Sequence, residues 1–405
     1  MTRVTVHEYA AALRPRYRAA KKGVKKKILD ELCETTGMHR KAAIRLLNLR
    51  TRPRAPGRGR PRRYGPEVTA ALVKLWEVGD RMCGKLLAAV MPELLAALER
   101  HGELRLSEQV RSLLLQVSPS TIDRLLRRHR RGLLRQPQRK RPVTTGLKSQ
   151  VPIRTWSEWQ DVPVGSLQAD LVLHCEERTA GFFLTTLCAV DVATGWLELQ
   201  PVWGLGKQRV GTAMHLARQR LPFPVQALHT DNGSEFINHV LVPWCIREKI
   251  RFTRARGYRK NDQAYVEQRN WRSVRRQVGY DRLSTRAAYQ LLQRLYPLLC
   301  RQMNFFRPVR KLVSKERLGA KVSKRYDEPA TPYQRLLASG CLTDSARTEL
   351  ERQYLASNPA QLQARIDRPA SSGALATRAT GATPSEGGWV TLLLRHRFPF
   401  GNDYF

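Results

Sequence analysis

The order of strand-like and helix-like segments between Val164 and Gly279 constrains the fold more than any other feature of the chain. Three strand-like segments come first, and helical and strand-like segments then alternate up to one long helical run. Strands that follow one another directly tend to pair as neighbours, whereas helices between strands cover the faces of a sheet. The order predicts an α/β domain with a mixed five-stranded sheet flanked by helices.

The individual segments follow from residue pattern and from turn and capping signals. Strands are predicted in GSLQADLVLH, GFFLTTLCAVDVATG, WLELQPVWG, VQALHTDNGSEF and IRFTRA, and helices over Lys207 to Leu221, up to Trp244, and over QAYVEQRNWRSVRRQVG. Asp262 is expected to cap the last helix at its N-terminus, and Gly279 is expected to end it.

Three carboxylates in this region have positions that need a reason. Asp170 lies in the middle of the first strand among apolar residues, and Asp231 lies where the fourth strand ends, in TDNG. Glu267 shares a helical stripe with Ala264, Trp271 and Val274, which predicts that it faces the sheet. Three anions brought together would repel by several kcal/mol at an effective dielectric near 20. Hard divalent cations relieve that repulsion, which points to Mg²⁺ or Mn²⁺ at an all-oxygen site.

These carboxylates and their neighbours resemble the DDE transposase and retroviral-integrase superfamily. The matching motifs are TDNGSEF around Asp231 and KNDQAYVEQRNW around Glu267, and 35 residues separate the two acids. The chain looks most like integrase-core transposases of bacterial insertion sequences. The resemblance covers residues 164–285 well and the N-terminal half loosely, and it implies an RNase H-like fold for the core.

The same resemblance implies a chemistry and its partners. Asp170 would bridge two Mg²⁺ or Mn²⁺ ions per active site, and Asp231 and Glu267 would each complete the shell of one. Water or a DNA 3′-hydroxyl would then attack a phosphodiester in line, first to cleave element ends and then to join them to target DNA. Family members suggest a homo-oligomer on paired double-stranded DNA ends. No His-His-Cys-Cys pattern precedes the core, so no zinc is inferred.

Residues near the acids are assigned supporting roles. Asn232 and Gly233 are expected to shape the turn that presents Asp231, because Asn-Gly favours turns. Asn261 is a further candidate for shaping the site. Lys260 and Arg269 are candidate phosphate contacts, with ordinary solvated residues as the alternative.

Other conspicuous residues in the core are interpreted as structural. His229 is expected to be packed, because a lone histidine is more often packed than catalytic. Asp191, in the sequence Asp191-Val-Ala-Thr-Gly195, is interpreted as the carboxylate of a hairpin turn. The tryptophans Trp196, Trp203, Trp244 and Trp271 are expected to lie in the core.

The N-terminal segment predicts an all-α helix-turn-helix region. Val24 to Cys33 and Met38 to Leu47 have helical periodicity, and Thr35-Thr36-Gly37 forms the turn between them. The second helix would present Arg40, Lys41 and Arg45 outward, as a DNA-recognition helix does. A plain helical hairpin with a solvated basic face is the alternative.

Two further segments are candidates for DNA contact. The linker RTRPRAPGRGRPRRYGP resembles an AT-hook, in which Arg58 and Arg60 would enter a narrow minor groove; a flexible spacer that touches only phosphates is equally compatible. Ser118 and Pro119 begin a helix that would carry Arg124, Arg127 and Arg128 on its outer face, completing a second helix-turn-helix with Leu106 to Val117. A helix that contacts only backbone charge is the alternative.

Charge and composition exclude several function classes. Lys and Arg total 72 against 34 Asp and Glu, a formal net charge of +38, which favours a polyanionic partner. No apolar run is long enough for a bilayer span, and the N-terminus lacks a signal peptide, so we expect no membrane partner and a cytoplasmic, nucleoid-associated bacterial protein. The seven cysteines are scattered and never form a CxxC pair, which disfavours disulfides and zinc.

These observations predict seven segments and leave two alternative functions open. The rivals to a transposase are a catalytically inactive, transposase-derived DNA-binding protein and a sequence-independent nuclease. The expected boundaries are helix-turn-helix 1–49, basic linker 50–66, second helical segment 67–134, linker 135–163, integrase-like core 164–285, helical and basic appendage 286–356 and disordered tail 357–405.

Overall fold

The fold was examined in a computed structural model, which describes residues 2–49, 63–130, 162–256, 260–318 and 321–371. The chain divides into two compact units, residues 1–63 and 64–405. Arg58 and Arg60 of the AT-hook-like linker, and residues 135–161 of the second linker, lie outside the described residues. In the described part of the chain, no helix is both long enough and apolar enough to cross a bilayer.

The first unit contains three helices, α1 (Arg3–Ala19), α2 (Lys22–Thr36) and α3 (Arg40–Leu47). Helices α2 and α3 are the two that the sequence predicted, and Gly37 ends α2 with a φ of 67°. Ile28 and Leu32 are buried as expected, but Val24 is 47% exposed. Helix α1 was not predicted, because basic residues and Pro15 interrupt its apolar pattern.

The second unit begins with four helices, α4 (Pro66–Val78), α5 (Gly84–Arg100), α6 (Glu108–Leu115) and α7 (Pro119–Leu126). Ser118 caps α7 as predicted, since its side chain accepts a hydrogen bond from the Thr121 backbone N–H at 3.3 Å. Apolar side chains from all four helices form one core, including Leu72, Leu87, Leu114 and Ile122.

A mixed five-stranded sheet forms the centre of the second unit. Its strands are β1 (Ser166–Leu173), β2 (Thr185–Asp191), β3 (Leu197–Val202), β4 (Ala227–Thr230) and β5 (Arg251–Arg254). The strand order is β3-β2-β1-β4-β5, with β2 antiparallel to β1 and β3, and β4 parallel to β1 and β5. This order and these directions are those of an RNase H-like fold, so the predicted fold class is confirmed.

Helices cover both faces of the sheet, because the buried side chains of β1 alternate in direction. Leu167, Ala169 and Leu171 belong to the core that includes α8 (Lys207–Arg220), whereas Val172 belongs to the core of the other face. The remaining helical segments are α9 (Leu241–Arg247), a 3₁₀ turn (Lys260–Gln263), α10 (Ala264–Arg269), a π-helix (Asn270–Arg275), α11 (Arg276–Val278) and α12 (Arg286–Phe306).

The C-terminal part contains more structure than the sequence indicated. It comprises β6 (Leu312–Leu318), β7 (Lys321–Tyr326), α13 (Pro332–Ala338), α14 (Asp344–Ala356) and α15 (Pro359–Ser371). The expectation of disorder from residue 357 onward is wrong for α15, because Leu362 and Ile366 are buried against the rest of the unit. Residues 372–405 lie outside the described residues.

A buried ionic cluster joins helix α4 to helices α11 and α12. Asp80, just after α4, is 8% exposed and forms ion pairs with Arg276 at 3.0 Å and with Arg307. Its carbonyl also accepts from Arg276, and the neighbouring Val78 carbonyl accepts from Gln302 at 2.8 Å. The second helical segment is therefore packed into the same unit as the sheet.

We expect Asp80→Asn to lower the free energy of unfolding by about 3–5 kcal/mol, because it leaves two buried guanidinium groups without their carboxylate. Asparagine tolerates the left-handed backbone at this position, where φ is 54°. Urea unfolding followed by circular dichroism measures the change. Arg347→Gln breaks an exposed pair with Glu351 and should cost at most about 1 kcal/mol. Equal losses in the two variants would contradict the role of the buried cluster.

Candidate active site

The parallel pairing of β1 with β4 brings two of the predicted acids together. The register places Ala169 opposite Thr230, so the next residues along the two strands, Asp170 and Asp231, follow side by side. Neighbouring strands lie about 4.8 Å apart. Two carboxylates separated by 60 residues in the sequence thus become neighbours at one edge of the sheet.

Asp170 is held by hydrogen bonds to both carboxylate oxygens. One oxygen accepts from the Leu171 backbone N–H at 2.8 Å, and the other accepts from the Asn270 side-chain amide at 2.6 Å. Burial raises the pKa of Asp170 to about 7, and repulsion from Asp231 and, more weakly, from Glu267 adds to the rise; the two hydrogen bonds oppose it. All three acids therefore contribute to one electrostatic site.

Asp231 is presented by a turn that its own side chain stabilises. The Asp231 carboxylate accepts from the Gly233 backbone N–H at 2.9 Å. Asn232 ties the turn to the end of β5, because its amide donates to the Ala255 carbonyl at 2.8 Å and its oxygen accepts from Arg254 at 3.1 Å. These contacts are of the kind expected for residues that shape the turn.

Glu235 is a fourth acid at this site, which the sequence interpretation missed. Burial raises the pKa of Glu235, and the charge of Asp231 raises it further. Its carboxyl group lies over Gly233, where an added Cβ would come within 2.5 Å of the Glu235 Cδ. The signal in the sequence was its place four residues after Asp231 in TDNGSEF, inside the motif itself.

Glu267 lies on helix α10 but does not face inward as the periodicity predicted. It is exposed, and Trp271 on the next turn is 43% exposed rather than part of the core. The buried residues of α10 are Val266 and Arg269, so this helix turns a different face to the protein from the one the stripe predicted. The wider turns of the π-helix from Asn270 to Arg275 alter the 3.6-residue pattern only beyond this point. Glu267 therefore lies on a solvent-exposed face of α10.

Gln168 fixes the start of this helix against the sheet. Its amide donates to the Asp262 carbonyl at 3.2 Å, and its oxygen accepts from the Val266 backbone N–H at 3.3 Å. Asp262 was expected to be the N-cap, but its carboxylate instead accepts from the backbone and the guanidinium of Arg256. Gln168 was missed because an inward glutamine in a strand carries no motif.

Of the two residues near the acids that were predicted to contact phosphate, the structure describes only the side chain of Arg269. Arg269 is 4% exposed and donates to the Gly195 carbonyl at 2.7 Å, so its prediction as a DNA contact is wrong. Burial and nearby arginines lower the pKa of Arg269 to about 9. Lys260 and Asn261 begin the 3₁₀ turn, and their side chains lie outside what the structure describes.

The remaining candidates outside the acids lie where the sequence suggested. Asp191 is buried and accepts from Gly165 and Thr194, as expected of a turn carboxylate. His229 is buried and bonded to Thr253 at 3.0 Å. The predicted recognition helices expose their basic side chains: Arg40, Lys41 and Arg45 on α3, and Arg124, Arg127 and Arg128 on or just after α7.

The donor set at the sheet edge fits a hard cation in its chemistry. Asp170, Asp231 and Glu267 supply only carboxylate oxygens, and their mutual repulsion disfavours three negative charges without a cation. Within the described ranges, no three His, Cys, Asp or Glu side chains stand close enough together to share a metal ion. The three acids are therefore near one another but do not form a preformed metal site.

We expect Asp170→Asn to stabilise the cation-free protein by roughly 1–4 kcal/mol at about pH 8. The folded pKa of about 7 lies above the ordinary value of 3.8, so ionised Asp170 disfavours the fold. That cost is absent below the ordinary pKa and complete above about pH 7, so the benefit should fade towards about pH 4. Thermal unfolding in EDTA measures it, with the exposed Asp281→Asn as control. A gain that does not change with pH would contradict the assignment.

The chain is similar to another protein over most of its length and, more distantly, to solved structures. No protein-family model matches the sequence. The crystal structure of the catalytic core domain of BIV integrase in crystal form I is 22% identical, with a TM-score of 0.29, and covers 43% of this chain and 95% of that chain. The uncharacterized protein y4rM of Sinorhizobium fredii (strain NBRC 101917 / NGR234) is 44% identical over 335 residues, which cover 82% of this chain and 95% of that protein, and the chain belongs to its family.

Proposed function

We propose that the chain is a DDE-type transposase or integrase that cleaves mobile-element ends and joins them to target DNA with divalent cations. One observation carries the proposal: β1, β4 and helix α10 bring Asp170, Asp231 and Glu267 into one electrostatic site. Neighbouring acids with a raised pKa are typical of a functional site, because burying charges that repel one another does not stabilise the folded protein. The sequence TDNGSEF and the 35-residue spacing support the same conclusion.

Three features of the chain prepare this site for phosphodiester chemistry. Asn270 and the Leu171 backbone hold the two Asp170 oxygens in place, and Gly233 holds one oxygen of Asp231. Glu267 would supply the third carboxylate from the exposed face of its helix, where its side chain is not tightly packed. When bound, Mg²⁺ or Mn²⁺ ions supply activation of the attacking hydroxyl and stabilisation of the leaving oxygen.

The DNA partner follows from charge. A formal net charge of +38 self-repels in the free chain and is compensated by a polyanion. The exposed arginines and lysines of α3 and α7 lie on short helices that follow a turn, which favours binding of element ends in a groove of the duplex. A homo-oligomer on paired ends is part of this proposal.

The rival function is a DNA-binding protein without catalysis. It would keep the basic helices and the charge, and the open arrangement of the three acids favours it to that extent. It gives no reason for Asn270 and Gly233 to hold the acids in defined orientations.

We expect the purified protein to nick a plasmid that carries its own gene with flanking DNA, and to join the nicked ends to a second plasmid, in Mg²⁺ but not in EDTA. Asp170→Asn, Asp231→Asn and Glu267→Gln should each lower both activities by at least about 100-fold, because each removes a cation ligand. Denaturing gels and end sequencing measure the products. The exposed Asp281→Asn keeps activity if the loss is specific.

Binding separates the two functions. Each triad variant should bind the same DNA within a few-fold of the wild-type protein. If the wild-type protein and the triad variants all bind the DNA and none of them nicks or joins it, the non-catalytic function replaces the proposal.

Asn270→Ala should raise the Mg²⁺ concentration for half-maximal activity by roughly 10–100-fold, because residues that orient a metal ligand typically contribute this much to affinity. The increase in melting temperature on adding Mg²⁺ gives a second readout that does not depend on turnover. Gln268→Ala, exposed on the neighbouring turn, is the matched control. An unchanged Mg²⁺ requirement would leave Asn270 with a packing role only.

A further inference from the structure

The β6–β7 hairpin is a two-stranded ribbon with an unusual balance of charge. Between residues 310 and 326 the chain has seven Lys or Arg and one Glu. Among the described residues, β6 and β7 form a sheet of their own with no third strand. Val313 and Val322 are 54% and 41% exposed, so the ribbon is not folded onto the core through these side chains.

The pairing register places basic residues opposite one another along the ribbon. Lys315 pairs directly with Lys324, and Ser314 pairs with Arg325. Directly opposed like charges destabilise a strand pair. Lys324 and Arg325 are both exposed. A polyanion lying along the ribbon would be attracted to this row of basic residues.

The base of the hairpin is firmly attached. The Asp327 carboxylate accepts from the Lys311 backbone N–H at 2.6 Å and pairs with Arg335 at 2.7 Å. Lys311 also donates to the carbonyl of Ala193, in the turn between β2 and β3, at 3.1 Å. These contacts fix where the ribbon leaves the core.

That base lies beside the helix that carries Glu267. Val309 and Ala330 pair at the base of the hairpin, and a Cβ added at Gly195 would lie 3.1 Å from Val309 and 3.3 Å from Arg269. Arg269 is on α10 and donates to the Gly195 carbonyl at 2.7 Å, so Gly195 joins the hairpin base to this helix. Six to seven paired residues extend about 20 Å from this point. The reach is about the width of a DNA duplex, and a two-stranded ribbon fits the major groove.

We propose that the β6–β7 hairpin is an arm that grips double-stranded DNA next to the catalytic acids. The inference rests on the proposed function, because it takes duplex DNA as the substrate. The arm contacts phosphates through its lysines and arginines and contacts groove edges through its two exposed valines. It adds a sequence-tolerant grip close to the scissile bond, separate from recognition by α3 and α7.

The test compares two variants that lose equal charge. One carries Lys315→Gln, Lys324→Gln and Arg325→Gln in the hairpin. The control carries Arg286→Gln, Arg294→Gln and Arg301→Gln, which are exposed on α12. Binding of a short mixed-sequence duplex is measured by fluorescence anisotropy across a range of KCl concentrations, and circular dichroism checks that both variants fold.

We expect the hairpin variant to reduce the slope of log Kd against log salt by about 3, since each lost phosphate contact removes roughly 0.9. Its affinity should fall about 10-fold or more, while the α12 variant stays near the wild type. A photoreactive residue at Ser323 should crosslink to the duplex, and one at the exposed Ser345 on α14 should not.

The outcomes separate this inference from the proposed function. Equal slopes for the hairpin and α12 variants, or crosslinks from Ser323 to a second copy of the chain instead of DNA, overturn the arm. If the wild-type protein cleaves DNA and the hairpin variant binds DNA as the wild type does, the arm alone is overturned. Wild-type protein that binds no duplex overturns both.

Discussion

The pairing of two carboxylates across parallel strands is the constraint on which the rest of the site depends. Strands β1 and β4 must lie in parallel register for Asp170 and Asp231 to meet. Burial raises the pKa of Asp170 to about 7, and repulsion from Asp231 adds to the rise. The amide of Asn270 and the backbone of Leu171 reduce the cost without removing it. Protonation of Asp170 removes the remaining repulsion at low pH, and a cation bound as proposed would remove it at higher pH.

Much of the core was predictable because its signals are local or periodic. Alternation along β1, the breaks between strands and the cap at Ser118 each act within a few residues, and these elements appear where expected. The positions of Asp170 and Asp231 followed from the same strands. The residues that surround the two acids in the fold could not be predicted in this way, because strand order is decided by contacts between segments distant in sequence.

The errors concentrate on the helix that carries Glu267. A uniform 3.6-residue stripe placed Glu267 and Trp271 inward, but α10 buries Val266 and Arg269 instead. Arg269 donates to the Gly195 carbonyl, whereas Trp271, within the π-helix, is exposed. Asp262 binds Arg256 instead of capping the helix. Such choices depend on tertiary partners, which no local pattern reveals.

The free protein contains two regions in which charges of one sign are concentrated. The acids at the sheet edge repel one another, whereas the β6–β7 ribbon and the chain as a whole carry an excess of positive charge, with a formal net charge of +38. Under the proposed function, divalent cations would lie beside the acids and DNA phosphates beside the basic residues. The Asp80 cluster holds α4 to α11 and α12, which follow the helix that carries Glu267 in the same unit. The opposite excess charges at neighbouring places therefore favour the proposed metal-dependent activity on DNA.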